Sequence, residues 1–433
     1  MIDNIYQRIK EYLLKLPLMT WVLLGFFITF FYFFIVTLFL DPSQYMKYFP
    51  YNILVNSPIG SDFRSIVFSS STWIHSGAVP PTLYPPITLM FFVPFTFLND
   101  GTGYTVLTLI ILICYVWSTL ILPRWINKQK GISAFAMLIF ITGLVSYGLQ
   151  LELERGQWNV VAFTFCLTAI YIFHDHPHRR WLAYLLFSIS VQLKLYPAIF
   201  VFALIENWSD WKNNIRRFVG LGIVNVLALF IFGSGPLVRT VGSVVETAAT
   251  HVGLPFNLSV SSFVMYILSM GFLPHAPIIV WLQVNGWLPQ LFLFAFFAVC
   301  FLMILGQAYK NGSKGFNPWV FMACSIGAFI IPAISFDYKL ATFPSSIALS
   351  IPAILTFKEN GNKFLMILLT FLFSVAYSST LYPYMYKPEW LQYNLPALLL
   401  ILTICTILCC VRSEKSADAS PISKSNLGMG RET

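Results

Sequence analysis

The sequence predicts an all-α polytopic membrane protein, and three observations carry that prediction. Of its 433 residues, 58% are hydrophobic and 17% aromatic, and a mean hydropathy of +0.74 lies far above that of soluble domains. Only 10% of the residues are charged. Residues 18–40, LMTWVLLGFFITFFYFFIVTLFL, carry no charge and are long enough to cross ~30 Å of hydrocarbon as a helix. A cleaved signal peptide would be shorter and followed by small residues.

With a cytosolic N-terminus, twelve spans are expected, at about 18–40, 104–122, 132–150, 157–173, 181–193, 196–208, 216–232, 288–309, 316–334, 340–357, 363–380 and 391–411. This layout leaves only Lys47, Arg64, Arg155, Lys194, Arg239, Lys339 and Lys387, of 26 Lys and Arg residues, outside or at depth. Positive charge thus gathers on the cytosolic side, and the net charge of +9 reports orientation rather than a nucleic-acid partner.

Residues 82–98, TLYPPITLMFFVPFTFL, hold Pro85, Pro86 and Pro94 and would invert every later loop if they crossed. They are expected to lie on or dip into the outer leaflet, inside one long extracytoplasmic loop at 41–103. A second large outer loop, 233–287, holds His251, Asn257 and His275. The stretch 181–208 reads as two half-length helices meeting at Lys194 and Pro197, so that their turn ends within the membrane, near its outer half. The seven cysteines fall in apolar runs without CxxC spacing and read as small buried hydrophobes, with neither disulfides nor metal expected. Residues 1–411 are expected to form a single domain. After them, 412–433 is polar and expected to be a disordered cytosolic tail.

The charged groups left on the outer side come from four segments. Asp62 and Arg64 follow the first span, ELERGQWN (Glu152 to Asn159) opens the fourth, Lys194 sits at the broken pair, and SFDYKL (Ser335 to Leu340) joins the ninth and tenth. Carboxylates with Arg and Lys at that depth suit a substrate with an anionic phosphate and sugar hydroxyls. Bland readings stand beside this one. Asp62 also suits an N-cap for a short helix from Phe63 to about His75, with Ser61 helping. Glu154 and Arg155 also read as a local ion pair, Gln157 and Asn159 as partners for helix-end amides, and Lys194 as a snorkelling side chain. HDHPH, His174 to His178, reads as a solvated loop rather than a metal cluster. Asn207 and Asn257 each open a glycosylation triplet that many unmodified chains share.

In combination, SDF with Asp62, LYPP at 83–86, GQWN at 156–159, LKLYP at 193–197 and FNLSVSSF at 256–263 resemble the integral-membrane glycosyltransferases of the C-type (GT-C) superfamily. They resemble especially the polyprenol-phosphate-sugar-dependent branch that includes mycobacterial mannosyltransferases. The matching pieces cover roughly residues 55 to 265, about half the chain. SFDYKLATFP departs from the commoner small-residue, Trp and His pattern at its place. The resemblance implies a GT-C-type fold with juxtamembrane helices in the first outer loop. It also implies a polyprenyl-phosphate-linked hexose donor, mannose-like, and inverting transfer to a glycan or glycolipid on the extracytoplasmic face of a bacterial cytoplasmic membrane.

Asp62 is then the catalytic base, which accepts the acceptor hydroxyl's proton. Arg64, Arg155, Gln157, Asn159, Lys194 and Lys339 are the candidates for binding the donor's phosphate and sugar. Glu154, His251, Asn257, Asp337 and Tyr338 are candidates for touching acceptor or substrate. A polyprenyl phosphate leaves as an anion and needs cations or hydrogen-bond donors rather than a general acid, and no acidic pair resembling a DxD motif occurs, so no metal or other cofactor is expected. Two other readings are a secondary transporter, which also uses broken helices and buried charge, and a polymerase or ligase of lipid-linked glycans.

Overall fold

The computed structural model describes residues 60–129, 131–132, 134–144, 146–251, 257–269, 281–282, 285–358, 363–378 and 395–418. The predicted first span, 18–40, and His275 lie outside the described residues. Among the described residues all regular structure is helical, with two isolated bridges, Asn207 to Lys314 and Asn257 to Phe336.

Two helices, Asp100–Ile126 and Trp287–Lys310, are long and apolar enough to cross a membrane by length and composition. The second carries Leu291, Phe292, Val299 and Leu302 exposed along its length, an apolar face suited to lipid. Two bent pairs bring the count to four if each is one span: Phe135–Leu144 with Tyr147–Arg155, at 44°, and Trp211–Leu229 with Ser234–Thr250, at 95°. Every predicted span from residue 104 onward falls on a helical element, but several are broken or shorter than the sequence suggests.

The span expected at 132–150 is one such case. Its first part ends at Leu144, and Ser146, in extended conformation, accepts the Leu149 N–H to cap a new helix, α1, Tyr147–Arg155. ELER therefore closes this helix rather than opening the fourth span. Gly156, at φ 66°, ends it, and the next helix, α2, at the place of the predicted fourth span, begins at Asn159 and runs to Asp175. The broken pair expected at 181–208 is present as α3, Arg180–Leu193, followed by a 3₁₀ stretch at Tyr196–Leu204, with Lys194 extended between them. Residues 82–98 form only a short helix, Thr88–Phe92, continued as 3₁₀ turns to Phe97. At ~1.5–2 Å per residue it is too short to span. The last helix, Leu395–Asp418, carries helical structure into the first seven residues of the expected tail.

One apolar core runs through the helix bundle from Leu122 to Cys409. A second packs Phe63, Leu89, Phe92, Leu149, Leu153, Trp158, Leu193 and Ala341 together. These residues come from the 61–97 stretch, α1, the residue that opens α2, the end of α3 and the 337–342 turn, so this smaller core draws together the segments singled out by charge.

Candidate active site

Asp62 lies in the first turn of the helix Ser61–Ser76, yet it does not cap it. The N-cap is Gly60, at φ 71°, with no side-chain cap bond, which sets the capping reading aside. The carboxylate turns across to α1 instead. Arg155 Nη2 donates to Oδ1 at 2.6 Å and Nε to Oδ2 at 3.4 Å. Gln157 Nε2 also donates to Oδ2, and Ser61 Oγ donates to Oδ1 at 3.3 Å.

Two glycines permit this approach. Gly60 N–H donates to the Glu154 carbonyl at 2.6 Å, and a Cβ on Gly156 would lie 2.6 Å from Phe63 Cβ and 3.2 Å from Gly60 Cα. Any side chain there would push the Asp62 helix off α1. Tyr104 closes the contact from behind, with its hydroxyl on the Leu153 carbonyl at 2.8 Å.

Gln157 carries the chain of contacts onward. Its Oε1 accepts from Lys194 Nζ, while its Nε2 also donates to Tyr84 Oη at 3.0 Å. The Lys194 ammonium stands over the rings of Tyr84, Trp158 and Tyr338, at 4.3, 4.6 and 5.7 Å from their centroids, a cation held by aromatic faces. Its backbone is fixed on both sides. Trp158 Nε1 donates to the Leu193 carbonyl at 3.1 Å, Thr88 Oγ1 to the Gln192 carbonyl at 2.7 Å, and Tyr196 Oη to the Asn159 carbonyl at 3.0 Å. Lys194 is buried and so does not snorkel out to solvent. Burial, and then the Asp62 charge, raise the Tyr84 phenol above its ordinary range, so this ring presents a neutral hydroxyl.

The 337–342 turn packs directly on α1, where a Cβ on Gly148 would lie 2.9 Å from both Ala341 N and Leu340 Cβ. Tyr338 reaches the Lys194 cage this way. Lys339, also buried, donates to the Ile334 carbonyl at 3.2 Å and stands 5.2 Å from the Tyr196 ring. Burial, and then the Lys194 charge, push its ammonium down to about 7. Among the described residues neither lysine has a carboxylate within ion-pair distance. The two lysines are close enough for the charge of one to act on the other, and buried like charges are costly unless an opposite charge joins them.

The remaining candidates separate. Arg64 points away from Asp62 and meets Asp100 at 3.9 Å on the exposed side, outside the cluster. Glu154 and Asn159 are buried beside it. Asn257 is buried with its amide occupied: Nδ2 donates to the Ala333 carbonyl at 2.9 Å, and Oδ1 accepts from Ser335 N at 3.0 Å and Ser259 N at 3.2 Å. It ties the residues ahead of Val260 to the segment ahead of Asp337, and its buried, occupied amide stands against glycosylation. His251 ends the helix Ser234–His251, and its side chain lies outside the described residues. Asp337 is buried on its turn. His174 sets its Nε2 2.9 Å from the Ala203 carbonyl, at a distance from this cluster in sequence and contacts.

Tyr84, Trp158 and Glu152 were not singled out from the sequence as site residues. Tyr84 and Trp158 lie inside LYPP and GQWN, where a Tyr and a Trp among aromatic stripes carry no distinguishing mark. Glu152 reaches over the start of α2, its Oε1 accepting from Val160 N at 2.7 Å, so a carboxylate from one helix satisfies the end of the next.

A half-buried carboxylate, a buried aromatic-held ammonium and an amide between them stand together on an all-helical apolar bundle, and this cluster is the candidate site. The model of glycosyltransferase family 87 matches residues 82–332, more than half of the chain, and the chain belongs to that family, a GT-C-type family of membrane glycosyltransferases. The matched range includes Tyr84, Arg155, Gln157, Trp158, Lys194 and Asn257, whereas Asp62, Asp337, Tyr338 and Lys339 lie outside it. No curated protein matches the chain.

Proposed function

We propose that the protein transfers a hexose, mannose-like, with inversion from a polyprenyl phosphate to a glycan or glycolipid acceptor. The single observation that carries this reading is the linkage of Asp62 to Lys194 through Gln157. It sets a carboxylate and a cation at the two ends of one cluster, as a displacement at the anomeric carbon requires.

In this reading the acceptor oxygen attacks the anomeric carbon on the face opposite the phosphate. The bond from that carbon to the phosphate oxygen breaks, and Asp62 takes the acceptor's proton. The electron pair leaves on the phosphate, whose growing charge is met by the ammonium of Lys194, with Lys339 behind it. Four donors now fill the Asp62 lone pairs: two Arg155 nitrogens, Gln157 and Ser61. The Ser61 contact, 3.3 Å for a hydroxyl, is long and the easiest to exchange, so the acceptor hydroxyl takes its place. Lysines supply the positive charge, and no metal or other cofactor is required. The reaction is placed on the extracytoplasmic face of a bacterial cytoplasmic membrane, with both termini cytosolic and the first outer loop above the bilayer.

Purified protein in detergent, given a radiolabelled polyprenyl phosphate hexose and a glycolipid extract, is expected to move label to the acceptor, with and without EDTA. Label left on the polyprenyl phosphate with every hexose tried would overturn this reading, and label moved only as a whole oligosaccharide from a lipid-linked glycan would replace it with the polymerase or ligase one.

A further inference from the structure

We infer that Gln157 is a positioning residue whose neutral amide acts as a spacer, holding Lys194 off Asp62 so that the carboxylate stays a base and the ammonium stays available to an anion. The inference rests on the reading of Lys194 as the cation that meets the donor phosphate.

The amide's orientation is fixed by its surroundings. Its Oε1 faces an ammonium, which only donates, and its Nε2 faces a carboxylate and a phenol oxygen. A flipped amide would set N–H against ammonium and C=O against carboxylate. Both amide hydrogens are therefore committed, one to Asp62 and one to Tyr84, and the carbonyl is committed to Lys194. Gln157 is buried, and so is Lys194, so water is a poor substitute for either partner.

Removing the amide leaves a lysine facing a carboxylate one side chain away in a water-poor pocket. Opposite charges there attract far more strongly than in water. The lysine would swing from its aromatic cage to Asp62, and one contact would occupy both functional groups. Gln157 prevents this because it accepts from Lys194 and donates to Asp62 while carrying no charge of its own.

The experiment is a double-variant cycle on binding, which needs no turnover. Farnesyl phosphate, a short polyprenyl phosphate, is titrated against the full-length protein in detergent for the wild type, Gln157→Met, Asp62→Asn and the double variant. Lys194→Ala serves as control. Methionine keeps the volume of glutamine without its hydrogen bonds. Gln157→Met is expected to weaken farnesyl phosphate binding by about tenfold or more. In the Asp62→Asn background the carboxylate at the far end of the amide is gone, and Glu152, the other carboxylate acting on Lys194, is held by Val160 N–H, so the same change is expected to cost less than about twofold.

Equal weakening in both backgrounds, or none in the wild-type background, overturns the spacer role while Lys194→Ala still weakens binding. Unchanged binding in Lys194→Ala overturns the phosphate reading and the spacer with it. If Gln157→Met does not fold, Gln157→Glu serves. Its carboxylate captures Lys194 directly, so binding should fall about tenfold in either background, and unchanged affinity overturns the spacer.

Discussion

Two ion pairs start from the same five-residue stretch, SDFRS, and end in opposite surroundings. Asp62 meets Arg155 at 2.6 Å with the two side chains 21% and 19% exposed, whereas Arg64 meets Asp100 at 3.9 Å with 43% and 71% exposed. Residues two apart on a helix point about 200° away from each other. One face of the Ser61–Ser76 helix packs on α1 through Gly60 and Gly156, so the charge on that face enters the site, and the other remains at the surface. Charge density along the sequence thus marks the element, while the face decides the role.

Substitutions can break this contrast. The largest effect is expected from Asp62→Asn, which retains shape and two heteroatoms but cannot take a proton. Turnover should fall by about 100-fold or more while donor affinity stays near that of the wild type. Transfer at the wild-type rate would show that the buried pair is merely structural. Next comes Lys194→Ala, which removes one charge-assisted contact to the donor phosphate. The donor KM should rise by about 10- to 100-fold, and an unchanged KM together with an unchanged rate would take Lys194 out of the site.

Lys339→Ala and Tyr338→Phe test how far the cluster extends into the 337–342 turn. Changes in rate or hexose preference of about threefold to tenfold are expected, since Lys339 acts behind Lys194 and Tyr338 offers one hydroxyl and a ring. Full activity of both variants with every hexose tried would confine the site to the first three segments. The smallest effect belongs to Arg64→Ala. Its exposed pair should contribute no more than about 1 kcal/mol to stability, with transfer within twofold of wild type, and a tenfold loss would mean that the surface pair also reaches substrate.

The segments that build the site were legible in the sequence because charge is rare there and stands out. Asp62, Arg155, Gln157, Lys194 and the 335–340 stretch each break an apolar background. The broken pair at Lys194 was legible too, since Pro197 and the basic residues at both ends leave each half too short to cross. Arg64 was expected at the donor site, and the structure sets it beside Asp100 on the exposed side, because a sequence gives no helix face until the register of the Ser61 helix on α1 is known. The break at Ser146 was hidden in a run whose hydropathy fits one span. Only the cap geometry, with Ser146 accepting from Leu149 N–H, shows that a new helix begins there and that ELER ends it.

The sequence alone determined an all-helical membrane protein, with most of its Lys and Arg on one predicted side and a few charges left in four segments apart from them, because in lipid every backbone group must be bonded within its own helix and every charge needs a reason. What only the tertiary structure decided is which of those charges touch. A contact between Gly60 and Gly156, closer than any side chain allows, brings Asp62 onto Arg155 and Gln157. Packing of Trp158 and Thr88 on the 192–193 backbone sets Lys194 at the far end of the same amide. Such distances depend on how whole helices stack, and no local run of residues encodes that.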